Sequence, residues 1–241
     1  CYAIAGLPGD GADGGAGADG VPAIFPDPNW LDPTPGANGG WGGNAERVFG
    51  GGIYCAPGSN AIIRNCTIAD NNAVSENFGN FGNGGSGGIG FPGVPDESAG
   101  DDGFRGNTYS AGGGVCYAKG DGTADVNNST FSGNAADGDG GALYVGADTA
   151  TVVACLIEGN YTDIYDNNST NGNGAGIWFG HEGALAISDC NISQNFARGF
   201  GGGVYGGDKK KTLAATVNID TSAFNGNVSL YGGGVYLDET V

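Results

Sequence analysis

The stretch GGALYVGADTATVVACLIEGN, Gly140 to Asn160, holds the pattern on which the fold turns. It opens with three small residues and an aliphatic one, and closes on a short apolar block that ends in Gly-Asn. The opening returns as GGGIY (50–54), GGGVC (112–116), GAGIW (174–178), GGGVY (201–205) and GGGVY (232–236). The marker residues are Ile53, Val115, Leu143, Ile177, Val204 and Val235, spaced 62, 28, 34, 27 and 31 apart. The closing block returns as NCTIADN (65–71), NSTFSGN (128–134), DCNISQN (189–195) and TSAFNGN (221–227). Ungapped copies at a period near thirty residues identify a repeat protein.

The closing blocks align into columns. One holds Ile63, Val126, Val152, Ile187 and Ile219, and the next holds Ile68, Phe131, Ile157, Ile192 and Phe224. A small-residue column reads Cys66, Ser129, Cys155, Cys190 and Ser222, and an invariant one reads Asn71, Asn134, Asn160, Asn195 and Asn227. Short segments alternate inward and outward and end in Gly or Asn, residues that tolerate positive φ. No apolar spacing of 3.6 is sustained, so helix is not expected. The predicted fold is all-β: a single-stranded parallel β-helix, one repeat per coil, with equivalent residues stacked at the strand spacing. The Asn column then reads as a hydrogen-bonded ladder, or as turn residues facing water.

Composition sets the context. Glycine supplies 53 of 241 residues, about three times the usual share. Asp and Glu number 26 against 8 Lys and Arg, a net charge of −18, which repels nucleic acid. No apolar run is long enough for a membrane span. Residues 1–47 form a Gly/Pro/Asp-rich extension or cap. The solenoid runs over 48–241, and a Gly/Pro/acidic insertion at 74–111 accounts for the spacing of 62.

The pairing of GGA-aliphatic with FxxN resembles the repeat of the polymorphic outer-membrane proteins, a group of autotransporter-like bacterial surface adhesins. GGAL at 140–143, FSGN at 131–134 and FNGN at 224–227 match it, while Ile68, Ile157 and Ile192 replace Phe elsewhere. The resemblance covers about 48–241. It implies a right-handed parallel β-helix, export, and an adhesive or structural role. The family's C-terminal β-barrel translocator has no counterpart in these residues.

Candidate sites follow from the same columns. Asp10, Asp13, Asp137 and Asp139 alternate with Gly in a way that suits Ca2+, and turn chemistry alone also explains them. Cys155 and Cys190 stand in one column of consecutive coils, either within disulfide range or as buried thiols acting as small apolar residues. Cys116 and Cys1 are candidates for tying down the N-terminal segment or a neighbouring chain. Tyr54, Tyr144, Trp178, Tyr205 and Tyr236, with Cys116 among them, form an outward strip. It either stacks for stability or forms a flat strip for a glycan or a neighbouring molecule, and a strip this long is expected to be buried under residues 1–47 or under another subunit.

Catalysis finds little support. Arg47, Arg64, Arg105 and Arg198 are scattered, Lys209–Lys211 and Asp101–Asp102 lie in loops, and His181 sits in a turn. No arrangement for a polysaccharide lyase or hydrolase emerges. The chain reaches Val241 just after a GGGVY opening, with its last coil unfinished. That coil end is expected to be continued in a longer protein or covered by another copy. The expected function is a non-catalytic structural protein, extracellular or at the cell surface, and a subunit of a head-to-tail fibre. The alternative is an adhesin that binds glycans or a neighbouring cell surface.

Overall fold

A computed structural model describes residues 2–4, 48–74, 110–162, 172–180, 183–207 and 215–238. Nearly all of them belong to one compact unit. The described residues form strands, bends and turns, with no helix.

Every strand pairing is parallel. The longest sheet has nine strands, among them Val115–Asn127, Leu143–Val153, Gly183–Ser188 and Ala215–Asp220. A second stacks Thr67–Ala69, Thr130–Ser132, Leu156–Glu158, Asn191–Ser193 and Ala223–Asn225. A third stacks Tyr2–Ile4, Asn72–Val74, Ala135–Ala136, Tyr161–Thr162 and Phe196–Ala197. The chain visits these sheets in the same cyclic order in each repeat, a path compatible with a β-solenoid.

The sequence columns are the rungs. Ile63, Val126, Val152, Ile187 and Ile219 pair in register along the long sheet. Ile68, Phe131, Ile157, Ile192 and Phe224 do so along the second sheet. Apart from Ile219, both columns enter one apolar core with the marker residues Val115, Leu143, Ile177, Val204 and Val235. In the interior repeats each apolar side chain is covered by its equivalents before and after it, which is how thin rungs acquire an interior.

Corners between sheets need a left-handed residue, and each has its own. The long sheet turns into the second at Asn65, Asn128, Ala154, Asp189 and Thr221, with φ between 43° and 55°. The second turns into the third at Asp70, Gly133, Gly159, Gln194 and Gly226. The return to the long sheet uses the first glycine of each opening motif, such as Gly140 at φ 72°. That position admits only Gly across all six copies, whereas the next two accept a buried Ala once each, at Ala175 and Ala142.

Two joints deal with the long detours. Tyr2–Ile4 pairs with Asn72–Val74 and so occupies the leading edge of the third sheet. The repeat described up to Val74 is in register again at Ser110. The Ser110 hydroxyl donates to the Ala73 carbonyl at 2.6 Å and accepts the Asp137 N–H at 2.7 Å. The strand Ser110–Ala111 then pairs with Val48–Phe49, and Ala111 bridges Asp139, as though no detour had occurred.

Candidate functional site

The invariant Asn column is a ladder. The Nδ2 of Asn71, Asn134, Asn160 and Asn195 each donates to the Oδ1 of the next, at 2.9 Å in all four cases. The same Oδ1 atoms accept the preceding Asn backbone N–H at 3.0–3.1 Å. The other Nδ2 hydrogen goes back to a core carbonyl of the previous repeat, as from Asn160 to Phe131 at 3.0 Å. Asn134, Asn160 and Asn195 are fully buried, and only complete satisfaction of both amide ends makes that tolerable.

A parallel row runs through the small-residue column. Cys66, Cys155 and Cys190 donate their thiols to the carbonyl two residues earlier, as Ser129 and Ser222 do with their hydroxyls. Ser129, Cys190 and Ser222 also receive a backbone N–H from the repeat before, such as Cys66 N to Ser129 Oγ at 3.1 Å. Cysteine and serine here are interchangeable corner acceptors.

Cys155 and Cys190 are both free thiols, which corrects the disulfide reading. In-register parallel neighbours hold their Cβ atoms near the rung spacing of about 4.8 Å, whereas a disulfide needs about 3.8 Å. The Cys155 N–H instead points at Cys190 Sγ, 3.5 Å away. The thiol hydrogen bond from Cys190 holds Cys155 below the ordinary thiol range. The same bond, with burial, pushes Cys190 up.

The sequence missed a second ladder. Asp139 Oδ1 accepts both the N–H and the Nδ2 of Asn173 at 3.0 Å, and Asn173 Oδ1 accepts the Phe200 N–H at 2.8 Å. It runs in the opposite direction to the first, from later repeats to earlier ones. Its column reads Phe49, Ala111, Asp139, Asn173, Phe200 and Tyr231, so only the adjacency of an acid and an amide could have signalled it. Of the Ca2+ candidates, Asp139 is buried here as a ladder acceptor. No three His, Cys, Asp or Glu side chains converge on a metal position among the described residues. Asp10 and Asp13 lie outside those residues.

The aromatic strip is stacked, and its centre is covered. Tyr144 and Trp178 lie 4.2 Å apart at 7°, Trp178 and Tyr205 6.2 Å apart at 9°, Tyr205 and Tyr236 5.9 Å apart at 12°. Trp178 and Tyr205 are only 7% and 1% exposed, while Tyr54 is 51% exposed. The rings from Tyr144 to Tyr236 therefore turn their faces to one another. Trp178 folds over Gly180, where a Cβ would meet its Cη2 at 2.0 Å. Cys116, between Tyr54 and Tyr144, is wholly buried, and that burial pushes its thiol up to about 12.

Charged side chains are engaged with neighbouring rungs. Arg64 pairs with Asp125 at 2.8 Å on the outer face, and Thr151 donates to the same carboxylate. Thr221 donates to Asp189 at 2.7 Å. Asp101, Asp102, His181, Lys209–Lys211, Arg47, Arg105 and Cys1 lie outside the described residues.

No described helix is long and apolar enough to cross a membrane. No family model, curated protein or solved structure matches this chain.

Proposed function

We propose that the chain is a non-catalytic structural protein of the cell surface or the extracellular space. It is a right-handed parallel β-helix of the kind the GGA and FxxN motifs suggest, stacking head-to-tail with further copies of itself. The observation that carries this reading is the state of the rung formed by residues 215–238. Ile219 there is 38% exposed where its column mate Ile187 is 1% exposed, and Val228, Leu230, Tyr231 and Leu237 are exposed beside it. The outer edges of Ala215–Asp220 and Ala223–Asn225 have no strand partner among the described residues. Open edges and half-covered core side chains favour continuation by another rung.

The polarity of the Asn ladder supports one direction of stacking. Each Asn donates to the Asn of the following repeat, so the ladder is directional and a face-to-face copy would reverse it. The non-catalytic part of the reading is supported by the way carboxylates such as Asp125, Asp139 and Asp189 bind neighbouring rungs.

Sedimentation and negative-stain imaging of the purified chain test this. Unbranched filaments of single-rod width are expected, growing with concentration. Short rods with the mass of one chain at every concentration overturn self-stacking. Hydrolysis or elimination products from acidic polysaccharides overturn the non-catalytic reading.

A further inference from the structure

We propose that Cys155 and Cys190 form a two-coordinate site for a soft monovalent cation, Cu+ or Ag+, held between consecutive repeats. The pair is flanked on both sides by in-register rungs, Val153 with Ser188 and Leu156 with Asn191. The two side chains therefore project in the same direction, one strand spacing apart, about 4.7–4.9 Å. That separation is too wide for a disulfide. It suits a linear sulfur–metal–sulfur unit, which at about 2.3 Å per thiolate bond spans about 4.6 Å. Soft thiolates select cations of this type, and two ligands suffice for them.

The surroundings are compatible with such an occupant. Both residues are 3% exposed. Within reach of the thiols are backbone carbonyls, Val153 and Val126 for Cys155, Ser188 and Val152 for Cys190, and the two thiols also bond to each other. These bonds can be given up at modest cost. Binding replaces two S–H bonds by two S–metal bonds and releases two protons to solvent, leaving one net negative charge on the unit. No oxidant or reductant takes part. Affinity should then fall roughly 100-fold for each pH unit below the thiol titration. Cys66 occupies the same column but neighbours Ser129, so it lacks a second sulfur.

The test is an anaerobic Cu+ titration of the full chain against a chromophoric chelator, with Cys155→Ser, Cys190→Ser and Cys66→Ser beside it. Serine already fills this column at positions 129 and 222, so the variants should keep the fold, which circular dichroism checks. The expected result is one tightly held Cu+ fewer in either of the first two variants, and no change in Cys66→Ser. Equal Cu+ content in all four proteins overturns the proposal. So does a thiol count that falls by two in air, through Cys155 and Cys190, with no metal taken up.

Discussion

Residues 183–207 and 215–238 carry the same pattern, yet the first is a core and the second is largely a surface. Ile187 is 1% exposed and Ile219 38%, Asn195 is fully buried and Asn227 is half-buried. Nothing intrinsic to the rung accounts for the difference. An interior repeat has a neighbour on each side, and the rung at 215–238 has one for most of its length. Burial here belongs to the stack, which is why stability in such architectures is close to a sum of nearest-neighbour terms.

Matched substitutions can break or sharpen that contrast. Asn160→Ala removes an amide with four hydrogen-bonding roles and strands buried partners on both sides, at a cost of about 4 kcal/mol. Asn227→Ala should cost about 1 kcal/mol, because water reaches its partners. Urea denaturation of the two variants measures the gap, and equal losses would refute the neighbour account. Ile187→Ala should cost about 3 kcal/mol and Ile219→Ala about 1 kcal/mol by the same assay. If 215–238 is covered by a second copy, the Ile219 loss rises with protein concentration.

Alkaline pH should act through the interior repeats. Burial pushes up Cys116, Tyr117 and Cys55, and burial with the Asp238 and Asp139 carboxylates pushes up Tyr205. The unfolded chain releases these protons first, so it binds fewer of them above pH 9. Stability is then fully present below about pH 9 and is lost as pH rises toward about 12. A thermal melting series from pH 7 to 11 should stay level to about pH 9 and decline above it, and Cys116→Ser should reduce that decline. The smallest effect is expected at a corner. Ala154 stands at φ 52° where three other repeats use Asn or Asp and one uses Thr, so Ala154→Asn should stabilise by about 0.5–1 kcal/mol.

The register of the repeats was legible because each apolar column keeps its chemistry in every copy. The Asn ladder was legible for the same reason. The facing of Trp178 and Tyr205 was not, because alternation marks a side chain as pointing outward without saying what lies over it. The ladder role of Asp139 was missed because its column varies between aromatic, small and polar residues. Its partner Asn173 is 34 positions away, and only stacking brings them together. The Cys155–Cys190 pair was placed correctly in one column, but its bond type depended on a difference of about 1 Å in Cβ separation.

The hydroxyl of Ser110 has a consequence for how such a chain can be edited. By clasping Ala73 and Asp137 it fastens the two ends of a long excursion to the rungs above and below, so the register on either side is insensitive to what is carried between them. A foreign peptide spliced between Val74 and Ser110, with Ser110 retained, should leave the pairing of Ser110–Ala111 with Val48–Phe49 intact.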